Sequence, residues 1–227
     1  MRQPLAPPHV DLPKEQRAVL RRSFLSFAVC GPTLALASLG LPSVFTFPDA
    51  LAERLAFALR ADLVIALWVV LGVRMVAKVR FRSTEDNAGS AYSKPSARLA
   101  VPKAFLQNTL EQAFTTSVAI LALATVGGEA PLAYIVATVV LFSLGRATFL
   151  RGYPHGAGGR AFGVATTALP AVGAYGWALI DMASDLVPAV ALRLEPTPPV
   201  SNVAPAPLIR RRLVDTPFGR LPPVAPA

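Results

Sequence analysis

Apolar residues dominate five stretches of this chain, 24–47, 61–80, 107–126, 130–150 and 161–180. Each is close to the roughly 20 residues that cross a bilayer as a helix. Runs such as LVIALWVVLGV (63–73) and PLAYIVATVVLFSLG (131–145) are apolar on every face, without the alternation of a membrane β-barrel strand. The pattern predicts an all-α integral membrane protein with five helices.

Punctuation refines that outline. Residues 1–22 form a polar, basic leader, and the first apolar helix (23–47) carries Pro32 and Pro42, which predict a kink. Ala35-Leu36-Ala37 could be read as a signal-peptidase site, but the apolar run continues well past it, which favours a retained helix. Asp49 is placed to cap the second helix, Pro102 to sit in the first turn of the third, and Pro170 to interrupt the fifth. Arg82 to Lys103 is the one long internal loop, and the stretch 195–227, with nine prolines, reads as a disordered or extended tail.

Composition agrees with the pattern: 53% of residues are hydrophobic, 15% are charged, and mean hydropathy is +0.50. A soluble domain has about a quarter of its residues charged. The net charge of +9 does not imply nucleic acid, because the basic residues are distributed as membrane loops distribute them. Residues 1–22 carry five Lys/Arg and 74–103 carry seven, and Arg146, Arg151 and Arg160 join the same side if five helices alternate. The positive-inside rule then places the N-terminus in the cytoplasm, with Arg210, Arg211 and Arg212 too far from a span to count strongly. The single cysteine, Cys30, lies in an apolar run and reads as a small buried hydrophobe. His9 and His155 have no second ligand at metal spacing, so no metal site is expected.

The candidate chemistry lies in Gln107-Asn108-Thr109-Leu110-Glu111-Gln112, a polar run that opens the third apolar stretch. Polar groups inside a membrane helix are costly and mark function by default. Asn108 and Glu111 (i, i+3) and Gln107 and Glu111 (i, i+4) share a helix face. Topology brings Arg146, Arg151 and Tyr153 from the fourth helix, and Arg160 from the fifth, to the same depth. Guanidinium groups suit carboxylates, and Asn, Gln and Glu accept amide and ammonium protons, so the set could hold a zwitterionic, peptide-like molecule. Equally, Glu111 and Arg146 could form an ion pair that only locks two helices.

The segments LQNTLEQ (106–112) and LGRATFLRGYPHGAGGRAFG (144–163) resemble the MAPEG superfamily, membrane-associated proteins in eicosanoid and glutathione metabolism. The resemblance covers about residues 60–185. It implies a four-helix membrane domain within 48–185, with the first helix as an addition, assembled as a homotrimer that binds glutathione between subunits near the cytoplasmic face. Its glutathione-binding positions fall on Asn108, Glu111, Arg146, Tyr153 and Arg160. A catalytic arginine corresponds to Arg80 or Arg82.

Two positions depart from the family pattern. Ala104 stands where glutathione-using members have arginine, and Phe149 where several have tyrosine. The implied activity is conjugation or reduction of lipophilic electrophiles by glutathione in a bacterial inner membrane or its equivalent. The competing reading is a non-catalytic scaffold or lipid-binding member of the same fold. A transporter is disfavoured, because the charges cluster at one side of the membrane rather than at its midplane.

Overall fold

The computed structural model describes residues 11–89, 92 and 94–194, with side chains to residue 186. Five α-helices follow in order: α1 Leu12–Gly40, α2 Leu51–Phe81, α3 Ala97–Ala124, α4 Ala130–Gly152 and α5 Gly156–Leu194. Short 3₁₀ turns, Leu41–Ser43 and Tyr153–His155, follow α1 and α4. No strand occurs among the described residues. The bundle belongs to a compact unit, Met1–Val187. Of the second unit, Pro188–Ala227, only residues 188–194 are described, and these are helical. The proline-rich stretch 195–227 and His9 lie outside the described residues.

Among the described residues three helical runs are long and apolar enough to cross a membrane: Leu12–Ser43, Leu51–Phe81 and the 57-residue Ala130–Leu186, which contains α4 and most of α5. By the same criteria α3 falls short. The polar run at 107–112 lowers the hydropathy of its first half.

Several helix boundaries depart from expectation. The first helix begins at Leu12, inside the basic leader, because Asp11 caps it by accepting from the Lys14 N–H at 3.2 Å. It continues through Pro32 and stops before Pro42. Asp49 does not cap α2; the N-cap is Ala50, with no side-chain bond. Ser96 caps α3 instead, so the connection ends there and Pro102 falls in the second turn.

Pro170 does not interrupt α5. A proline lacks the N–H that its helix would direct to the carbonyl four residues back, here Thr166. The thiol of Cys30 approaches that orphaned oxygen at 3.8 Å, and the Tyr134 hydroxyl donates to Pro170 O at 2.9 Å. Neighbouring helices thus supply the polar contacts that carry α5 through the break.

In lipid, burying leucine against leucine gains little, so close backbone approach and interhelical hydrogen bonds hold a bundle together. Both are present. Gly145 on α4 faces Gly163 on α5: a methyl group on Gly163 would come within 2.4 Å of the Phe149 nitrogen. Gly152 and Gly159 form a second such contact, with 2.1 Å between a methyl group on Gly152 and Gly159 O. These glycines form a tight interhelical seam. Trp68 of α2 donates to Ser143 of α4 at 3.0 Å, and Ser117 of α3 donates to Asp62 of α2 at 2.8 Å.

At the other end of the bundle Arg54 is buried, at 3% exposure. Its Nε donates to Ala124 O at 2.9 Å, its Nη1 to Gly128 O at 2.7 Å, and its Nη2 to Val126 O. These are carbonyls that the end of α3 and the following turn leave unpaired. One guanidinium closes the α3–α4 hairpin.

Candidate functional site

The site centres on Arg146, which α4 carries one and a half turns before its end. Its side chain is fully buried (0% exposed), the largest such residue in the described chain. The close Gly145–Gly163 contact brings its guanidinium against α5. Nη1 donates to Asn108 Oδ1 at 2.8 Å, Nη2 to Thr167 Oγ1 at 2.7 Å, Nε to the same hydroxyl at 3.2 Å, and Nη2 to Gly163 O at 3.4 Å. The Thr167 hydroxyl in turn donates to Gly163 O at 2.8 Å. One charge therefore ties α3, α4 and α5 together.

Aromatic rings continue the site. The Arg146 guanidinium carbon lies 5.0 Å from the Phe149 ring centroid and 5.6 Å from that of Phe142, both within cation–π range. Phe149 packs on Phe105 at 6.1 Å and edge-on to Tyr153 at 5.6 Å. The Arg160 guanidinium sits 5.1 Å over the Tyr153 ring. The chain Asn108–Arg146–Phe149–Tyr153–Arg160 thus forms a continuous layer from α3 through α4 to α5. Four of the five binding residues expected from the resemblance meet in it.

Glu111 does not join them. It is exposed and accepts from Gln107 Nε2 at 2.7 Å, on the outward face of α3. The alternative Glu111–Arg146 ion pair does not form. Asn108 lies between the two directions and reaches Arg146 with its amide oxygen, so a neutral group takes the place of the carboxylate. Ala104, at the position of the family arginine, borders an open groove of about 460 Å³ with Pro95, Ala100, Lys103 and Gln107.

Arg80 and Arg82 end α2 at the connection to α3. Arg80 is half-buried, and its carbonyl accepts from Asn87 Nδ2 at 3.5 Å. Arg82 is exposed. The connection itself is held by Asp86, which is 2% exposed and accepts from Ser96 N at 2.9 Å, Ser96 Oγ at 2.6 Å and Ser83 Oγ at 2.9 Å. The Ser96 backbone and hydroxyl hold its carboxyl below the ordinary range, outweighing the opposing effect of burial, with smaller help from Ser83 and the charge of Arg80.

Thr167 and Gly163 carry no signal in the sequence, because threonine and glycine are common in membrane helices and only the fold sets them against Arg146.

Fold and site together define a helical integral membrane protein with a buried arginine linking three helices near one end. The MAPEG family model matches residues 55–180, more than half of the chain, and the chain belongs to that family. The match begins within α2 and ends within α5, so α1 lies outside it. No curated protein and no solved structure gives a significant match.

Proposed function

We propose that the protein binds glutathione at the Arg146 end of the bundle, between copies of a homotrimer, and uses its thiol against lipophilic electrophiles that enter from the bilayer. One observation supports this reading most: a family-type constellation from α3, α4 and α5 occupies one layer, while Gln107 and Glu111 face outward beside it. Glu111 suits the ligand's ammonium group. Lys103, in the groove beside Ala104, supplies a cation one residue from the family arginine and suits a carboxylate.

The thiolate forms when the thiol proton leaves to solvent, favoured by a nearby guanidinium. Its sulfur pair then forms the C–S bond to an electrophilic carbon, and the electrons displaced there leave with a leaving group or are protonated. Arg80 or Arg82 is the proposed stabiliser. Because the charge of Arg80 already acts on Asp86, Arg82 is the first to test. The N-terminus and the Arg146 end are assigned to the cytoplasm, by the positive-inside rule, in a bacterial inner membrane or its equivalent.

A second reading also has an observation behind it. The Arg146 guanidinium spends its donors on helix partners, as a packing element in a non-catalytic scaffold would. Calorimetric titration of detergent-purified protein with glutathione separates the two. The proposal requires binding below millimolar concentration, weakened by Glu111→Gln and Lys103→Gln. If no heat of binding appears at millimolar glutathione, the scaffold reading stands.

A further inference from the structure

Helix α1, outside the family match, docks on the start of α5. Glu15 accepts from the Gly158 N–H at 2.7 Å, Arg22 Nη1 donates to Gly159 O at 2.9 Å, and the Ser26 and Thr166 hydroxyls share a hydrogen bond at 2.7 Å. Between α1 and the α4–α5 turn this docking leaves a groove of about 350 Å³, whose walls include Arg22, Leu25, Thr148, Arg151, Gly159 and Phe162.

The order of these residues along the membrane normal is informative. On α1, Arg22 precedes Leu25; on α4, Thr148 precedes Arg151; on α5, Gly159 precedes Phe162. Each pair is separated by three residues, about 4.5 Å of rise and just under one helical turn. Both arginines lie at the end of the apolar runs, and the residue one turn deeper is in each case uncharged. The groove is cationic at the headgroup level and apolar beneath it. Among the described residues no carboxylate lines it, and Glu15, close to the groove on α1, is committed to Gly158.

We propose that this groove is a site for one anionic phospholipid, its phosphate held by Arg22 and Arg151 and an acyl chain resting on Leu25 and Phe162. Guanidinium forks match phosphate oxygens, and basic pockets between membrane helices at the cytoplasmic face bind anionic headgroups. Arg151 is exposed, and Arg22 commits one nitrogen to Gly159, so both can turn further donors to the phosphate. The lipid would fill the seam between the added helix and the family domain.

The test uses full-length protein in an uncharged detergent and native mass spectrometry with phosphatidylglycerol, phosphatidylcholine of the same acyl chains, or inorganic phosphate. One phosphatidylglycerol per chain is expected, retained in preference to phosphatidylcholine and not displaced by phosphate. Arg151→Gln should weaken retention about fivefold. Arg60→Gln, which removes the same charge at the far end of α2, should leave it unchanged. Equal retention of phosphatidylcholine, displacement by inorganic phosphate, an unaffected Arg151→Gln variant or an equally affected Arg60→Gln variant would each overturn the lipid site.

Discussion

The buried Arg146 guanidinium joins α3, α4 and α5 through Asn108, Thr167 and Gly163. A lone arginine late in an apolar helix must find acceptors, and the polar run on α3 was the evident source. The structure selects Asn108 over Glu111 and adds Thr167, because the Gly145–Gly163 contact puts α5 within reach of the guanidinium. Helix-face arithmetic could pair residues within α3, but it could not show how α3 is rotated against α4. Arg146→Lys removes the fork that spans Asn108 and Thr167 and should lower Tm in detergent. A double-mutant cycle with Asn108→Ala should return a coupling near 1 kcal/mol. Glu111→Gln should change stability by less than about 0.5 kcal/mol, as exposed substitutions do. A large loss of stability in that variant would restore the ion-pair reading. Gly163→Ala should cost about 1–3 kcal/mol, since its methyl group meets the α4 backbone.

At the scale of elements, the five helices were visible as apolar runs, whereas their ends and continuity were not. Pro170 reads as a break in one dimension. In three, Tyr134 and Cys30 supply polar contacts from α4 and α1, and Gly173 leaves room for the tyrosine hydroxyl. The polar leader likewise joins α1 because Asp11 caps it and Glu15 finds the first turn of α5, a partner more than a hundred residues away. The connection 82–96, which sequence could only identify as long, is organised by Asp86. Its folded carboxyl titrates below the ordinary 3.8, so its contribution is complete above that value and is lost as pH falls through the folded pKa. Hydrogen exchange at 83–89 and 94–96, corrected for the intrinsic rate, should therefore stay slow at neutral pH and accelerate under acid conditions below 3.8. Asp86→Asn should accelerate it at neutral pH and flatten the acid dependence. A connection equally protected in that variant would show that Asp86 does not hold it.

The whole molecule leaves one face unexplained by a single chain. Gln107, Leu110, Glu111, Phe114, Thr115 and Val118 are exposed and follow one another along one side of α3. In a soluble protein such a face would meet water. Here it adjoins half-buried Asp62 with its Ser117 partner, and the helix belongs to a bundle whose other spans are strongly apolar. Carboxylates at membrane depth face protein or a water-filled cavity rather than lipid, so the face demands a cover. A second copy of the chain provides one in the proposed trimer, and it also makes Glu111 part of an intersubunit site. Native mass spectrometry in mild detergent should then report three chains of 23.9 kDa. A nitroxide at Phe114→Cys should show dipolar broadening when every chain is labelled and weak relaxation by oxygen dissolved in lipid. A label at Leu144→Cys, on the outer side of α4 beside the α1 groove, should show strong oxygen relaxation and no broadening. If the label at position 114 behaves like the one at 144, the polar face of α3 is lipid-facing and the intersubunit placement of Glu111 fails, whatever the titration with glutathione shows.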